Sequence, residues 1–198
     1  VTVDNSLPVV TDVTISPATG ITTTSTLTCE ATATDPDGDT PTLEYAWSSG
    51  GVSLTEGETI VLDAESYEPN DVITCTATAT DADGGTDTSA DSVSVDNTDP
   101  VVGSVSITPS SGVTLNSTLT CTATSTDADG GTPTISYIWT NGSKNIGSSN
   151  VVTILASMAS SGDTITCTAT ATDVDGGTGT ATDTATVTNS VPVISSVS

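Results

Sequence analysis

The string Thr-Cys-x-Ala-Thr-x-Thr-Asp-x-Asp-Gly begins at Thr28, Thr74, Thr120 and Thr166, with Ser125 replacing one alanine-track residue in the third copy. It sets Cys29, Cys75, Cys121 and Cys167 apart by 46 residues each time. A spacing that never varies leaves no room for insertions, so the chain must be assembled from equal structural units. The complete unit is twice that spacing. Asn5, Asn97 and Asn189 each open a segment of the form Asn-Ser/Thr-x-Pro-Val, and Tyr45 and Trp47 recur as Tyr137 and Trp139, all 92 residues apart. The reading is therefore one repeat over 5–96 and a second over 97–188, with 1–4 closing a preceding repeat and 189–198 opening a following one. The chain starts in mid-pattern, with neither an initiator Met nor a signal peptide, and reads as a piece of a longer, processed protein.

Within each repeat the apolar residues alternate. Leu27, Cys29, Ala31 and Ala33 are separated by Thr and Glu, and the same rhythm carries Leu43, Tyr45 and Trp47, then Ile60 and Leu62, then Ile73, Cys75, Ala77 and Ala79, then Val93 and Val95. A period of two is that of half-buried strands. Clusters of Gly, Pro, Asp and Asn punctuate the runs as turns do. The two repeats check each other: Ile73 becomes Ile165 and Trp47 becomes Trp139, whereas outward-facing Val72 becomes Thr164. About seven short strands in each repeat predict an all-β chain of antiparallel sandwiches.

Composition narrows the function classes. The 198 residues carry 25 acidic side chains against one basic one, Lys144, for a net charge of −24, and contain no His, Arg or Phe. Such a chain repels nucleic acid and anionic lipid, both of which need Lys or Arg against phosphate. Its natural counterparts are cations or a salty medium. The lack of His excludes a Ser-His-Asp triad, a Cys-His pair and a His-ligated zinc site. No apolar run approaches the roughly 18 residues of a membrane helix, so direct membrane insertion is not expected.

The order Cys29, Trp47, Cys75, repeated as Cys121, Trp139, Cys167, resembles that of the immunoglobulin fold, with Cys on strands B and F and Trp on strand C. Together with the Asp-x-Asp-Gly loops and the Asn-Ser/Thr-x-Pro-Val link, the whole chain resembles the tandem Ig-like, PKD-like and cadherin-like repeats of prokaryotic extracellular surface or filament proteins. One departure is that Ile73 and Ile165 stand where a tyrosine corner would place Tyr; Tyr67 could supply it, but repeat 2 has Ala159 there. The resemblance also explains the half-period, because strands B and F are related by the approximate two-fold of a sandwich. Four cysteines allow three pairings. The resemblance implies Cys29–Cys75 and Cys121–Cys167, each joining two sheets under its Trp; four buried free thiols are the alternative. Paired cysteines imply an oxidising, extracellular or cell-surface location.

The aspartates admit two readings. Asp-x-Asp-Gly favours tight turns through Asx hydrogen bonds and a glycine at positive φ. In an Ig sandwich, however, the B–C and F–G loops share the end at which the chain comes in. Asp35, Asp37, Asp39, Asp81 and Asp83 should then gather near Asp4 and Asn5, and Asp127, Asp129, Asp173 and Asp175 near Asp96 and Asp99. Several carboxylates in one place need a cation among them. Hard oxygen ligands suit Ca²⁺, and cadherin-like repeats use calcium at their links, so these aspartates other than Asp4, eleven in all, are the candidate calcium ligands.

Asn116 (Asn-Ser-Thr) and Asn141 (Asn-Gly-Ser) are N-glycosylation sequons on expected loops. The Thr-x-Thr runs suit exposed strand faces; O-glycans, or a flat face for glycans or ice, are alternatives. With one Lys, a Lys–Asn isopeptide lock is excluded from repeat 1, and trypsin-type proteases have a single target. The functional expectation is a structural, non-enzymatic repeat that forms a stalk, fibre or filament through contacts with neighbouring repeats and self-assembly. An adhesin or glycan-binding module, or a spacer in a larger secreted protein, is the alternative.

Overall fold

A computed structural model describes residues 4–191. The expected ends of neighbouring repeats fall largely on 1–3 and 192–198, outside the described residues. The chain forms two compact units, Val1–Thr98 and Asp99–Ser198. Each is an Ig-like antiparallel β-sandwich of seven strands, and the described residues contain no helix.

Unit 1 holds β1 (Val9–Ser16), β2 (Thr26–Thr34), β3 (Thr42–Ser49), β4 (Val52–Glu56), β5 (Thr59–Val61), β6 (Val72–Thr80) and β7 (Thr86–Ser94). They form one sheet in the order β1-β2-β5 and a second in the order β4-β3-β6-β7. Unit 2 repeats the arrangement with β8 (Val101–Thr108), β9 (Thr118–Thr126), β10 (Thr134–Asn141), β11 (Lys144–Gly147), β12 (Val151–Thr153), β13 (Thr164–Thr172) and β14 (Thr178–Thr186). Its sheets run β12-β9-β8 and β11-β10-β13-β14.

The alternation sets which side chains face the core. On β6 Ile73, Cys75, Ala77 and Ala79 are fully buried, and on β13 Ile165, Cys167, Ala169 and Ala171 are likewise. Cys29 on one sheet is bonded to Cys75 on the other, and Cys121 to Cys167. Trp47 lies in register with Cys75, and Trp139 with Cys167. Both indoles are fully buried. A buried N–H requires an acceptor, and each finds a carbonyl: Trp47 Nε1 donates to Gly57 O (2.9 Å) and Trp139 Nε1 to Ser149 O (2.8 Å). Around each disulfide pack Leu, Ile and Val side chains, such as Ile15, Leu27 and Val95 in unit 1 and Ile107, Leu119 and Val187 in unit 2. The Tyr67 ring joins the core of unit 1; burial, then the Asp63 and Asp71 carboxylates, push its phenol upward in pKa. Ala159 takes the same place in unit 2 and is also buried.

Beyond the disulfide the interior narrows to alanines, and polar groups close the flank. Val10 N donates to Asp87 Oδ2 (2.8 Å) and Ile15 N to Asp91 Oδ2 (3.0 Å), joining β1 to β7 of the other sheet. Ile107 N donates to Asp183 Oδ2 (2.8 Å) in the same way. Sheet edges with unused N–H groups invite pairing with other chains; here carboxylates occupy part of that edge. On the opposite flank the Tyr45 hydroxyl accepts from Ala31 N (3.2 Å), beyond the short β5.

Candidate functional site: the aspartate loops where the chain comes in

In unit 1 the loops after β2 and after β6 lie beside the incoming segment Asn5–Leu7, as the fold requires when β1 starts at the end where β2 and β6 finish. Each loop is built by its first aspartate. Asp37 N donates to Asp35 Oδ1 (2.7 Å) while Gly38 N donates to Asp35 O (3.2 Å), an Asx turn superposed on a β-turn. In the second loop Asp81 Oδ1 accepts from Asp83 N (2.9 Å) and Gly85 N (2.8 Å). Gly38 and Gly84 sit at φ +92° and +87°, which L side chains avoid.

The remaining oxygens hold the incoming chain. Asn5 Nδ2 donates to Asp81 Oδ2 (3.0 Å), and Ser6 N donates to Asp37 Oδ2 (2.6 Å). Asp81 is buried. The Asn5 hydrogen bond, helped by the backbone amides of Gly85, Asp83 and Gly84 against the effect of burial, holds its carboxyl below the usual range. A Cβ at Gly85 would press on Asp81 Oδ2 and come within 2.8 Å of Leu7 Cδ2, so any larger residue there has to displace those side chains.

Unit 2 uses the same devices. Asp127 Oδ1 accepts from Asp129 N (2.9 Å), Asp173 Oδ1 from Gly177 N (2.8 Å), and Asp99 Oδ1 from Thr178 N (3.3 Å). The units differ at one inward-facing position: where unit 1 has Asp87 bonded to Val10 N, unit 2 has Gly179, against which the Pro100 carbonyl packs so closely that no Cβ fits.

Among the described residues no three carboxylates come together in a way that could hold a metal ion. Asp39, Asp83, Asp96 and Asp175 are exposed, and Asp35, Asp81, Asp127 and Asp173 each spend an oxygen on amides of their own loop. Backbone N–H groups compensate part of that charge. Asp35 Oδ2 is buried without a hydrogen-bond donor.

The sequons part company. Asn116 is exposed in the turn before β9, at φ +69°. Asn141 is the last residue of β10 rather than a loop residue, and its amide donates to Met158 O (3.1 Å) and Asp163 Oδ2 (2.6 Å). Asp163 also accepts from Ser160 N (2.9 Å), and that bond, then Asn141, lowers its pKa. Nothing in the spacing marks Asp163 as a partner of Asn141, which lies 22 residues before it. Lys144 Nζ donates to Ser157 O (2.6 Å).

No protein-family model matches the chain, and no curated protein matches it in sequence. Solved structures with similar architecture include three N-terminal domains of the bacteriophage RB49 Highly Immunogenic Outer Capsid protein (16% identity, 92% of this chain and 70% of that one, TM-score 0.38). The fibronectin(III)-like modules of Clostridium thermocellum CbhA are similar at 21% identity (89% and 94%, TM-score 0.34). A 1.5-MDa bacterial ice-binding adhesin is similar at 17% identity (93% and 66%, TM-score 0.37), so this chain spans just under two thirds of that structure. With scores this low, the fold assignment rests on the strand order and register of the chain itself.

Proposed function

We propose that the chain is a pair of structural, non-catalytic repeats, framed as 5–96 and 97–188, from an extracellular or cell-surface stalk, fibre or filament. The observation that carries this reading is the same Ig-like sandwich built twice at a fixed 92-residue period, each with its own inter-sheet disulfide. Disulfides persist in oxidising compartments, which supports the location. Short links favour repeats that touch their neighbours, as arrays do. Nine-residue strands span about 30 Å, so each repeat with its loops would advance an array by roughly 40 Å. As part of this reading Asn116 is the sequon that accepts a glycan, because its side chain is exposed, whereas the Asn141 amide is already engaged.

Small-angle X-ray scattering of the 198-residue chain tests the proposal. An extended particle roughly 80 Å long, lengthening by a constant step with each added repeat, is the expected result. A compact particle whose length does not grow with repeat number would overturn it.

A further inference from the structure

The two units are far from equal in charge. Of the 25 acidic residues, 18 lie in unit 1 and 7 in unit 2, while the single Lys144 is in unit 2. Those seven avoid the sheet faces. Asp99, Asp127, Asp129, Asp173 and Asp175 sit in or beside the aspartate loops, Asp163 is tied to Asn141, and Asp183 faces β8.

The result is an outward face on β10, β13 and β14 with no ionisable side chain. Registered rows cross it: Thr134–Thr172–Thr178, Ser136–Thr170–Thr180, Ile138–Thr168–Thr182 and Thr140–Thr166–Thr184, with Thr164 opposite Thr186. Ile138 is 45% exposed at its centre. The matching rows of unit 1 include Glu44–Thr78–Thr88 and Ala46–Thr76–Ala90, so a charge stands there and the central isoleucine is missing. The other sheet of unit 2 also lacks charge outside, but its hydroxyls satisfy one another, Ser104 with Thr124 (2.9 Å), Ser106 with Thr122 (2.8 Å) and Thr118 with Thr153 (3.0 Å). On this face Thr134 and Ser136 instead donate to the backbone, at Thr172 O (3.2 Å) and Thr170 O (3.5 Å), and among the described residues no hydroxyl pair joins β13 to β14.

We propose that this neutral threonine face of unit 2 is a lateral contact surface for the same face of a second copy of this chain. The proposal deepens the structural-repeat reading by naming how arrays adhere side by side. Two chains of charge −24 repel wherever their carboxylates meet. An isologous, two-fold contact of this face opposes only hydroxyls, methyls and Ile138, so the partner that fits is the one with the same face. Three strands about 4.8 Å apart and about 30 Å long make roughly 400 Å² per chain. At about 800 Å² in total the contact is smaller than a standard specific interface, so it is transient for one pair and strengthened when several repeats of an array engage together.

Sedimentation equilibrium of the 198-residue chain over a concentration series, at low and at high salt, tests this. The weight-average mass should climb from 19.5 kDa toward twice that value, further at high salt, where the remaining charge is screened. Thr168→Asp with Thr182→Asp should hold the mass at the monomer value, while Thr76→Asp with Ala90→Asp, the same positions in unit 1, should associate like the parent chain. Two new carboxylates on neighbouring strands could unfold the sheet, so the single change Ile138→Asp, at an already exposed site, is measured beside them with circular dichroism as the folding control. A parent chain that stays monomeric throughout, or a folded unit 2 variant that still associates, overturns the proposal. So does a monomeric chain retained on an insoluble uncharged polysaccharide through this face, which would assign the face to a polymer ligand. None of these results bears on the length per repeat, so failure here is distinct from failure of the structural-repeat reading.

Discussion

Replacing Cys121 and Cys167 together by Ala in the intact chain isolates what the staple does. The bond closes a loop with a sequence separation of 46. On the chain-entropy relation this restricts the unfolded chain by about 4 kcal/mol. Both sulfurs are fully buried under Trp139, so truncation adds about 1 kcal/mol for the small cavity. In a unit of this size each kilocalorie shifts the melting temperature by about 5 °C, so the unit 2 transition should fall by roughly 20 °C or more. Differential scanning calorimetry reads this directly. About half of the unfolding enthalpy should move, and the unit 1 transition should stay, because the Cys29–Cys75 loop does not overlap the other. Chemical reduction without substitution separates closure from packing, since the thiols still fill the core; its shift should be most of the variant's. A fall of less than roughly 5 °C would refute the view that loop closure is a main source of stability in a core this rich in alanine.

Gly179→Ala should destabilise unit 2 by about 2 kcal/mol or more, because its Cβ meets the Pro100 backbone, which cannot turn aside as a side chain can; an unchanged urea midpoint would contradict that packing. Asp81 has its folded pKa lowered, so its contribution is present above the ordinary aspartate value near ~3.9 and fades as pH falls through the lower folded value. Asn5→Ala removes the largest cause and brings the folded value closer to the unfolded one, so unit 1 should melt lower at neutral pH and lose less on acidification, the two profiles of melting temperature against pH converging in acid; profiles that stay parallel would contradict the role given to Asn5. EDTA should leave the melting temperature of either unit unchanged, given aspartates satisfied by their own loops; a drop would restore the cation reading.

Much of the fold could be read directly from the residues. Strict alternation around Leu27–Ala33 and Ile73–Ala79 marks strands and their inner faces, and those side chains are buried or half-buried as the period demands. The turn chemistry of Asp35, Asp81, Asp127 and Asp173 was equally legible, because an Asx turn is a contact between near neighbours. The site was less so. Which of two chemistries those aspartates serve depends on where each carboxylate oxygen ends up, and that is set by how the two loops and the incoming chain meet. Asn141 shows the same limit, since a sequon says nothing of whether Met158 and Asp163 have already taken its amide.

Local pattern alone thus determined the period, the strands, their buried faces and the turns, because each depends on residues only a few positions apart. Contacts over long separations were left to the tertiary structure. Asp91 meets Ile15 N and Asp81 meets Asn5 across 76 residues each. Gly179 meets Pro100 because β14 passes beside the start of β8. The uncharged face of unit 2 comes from three strands far apart in sequence brought into one register. A period of two states which side of a strand is buried; only the closed sandwich decides what stands across from it.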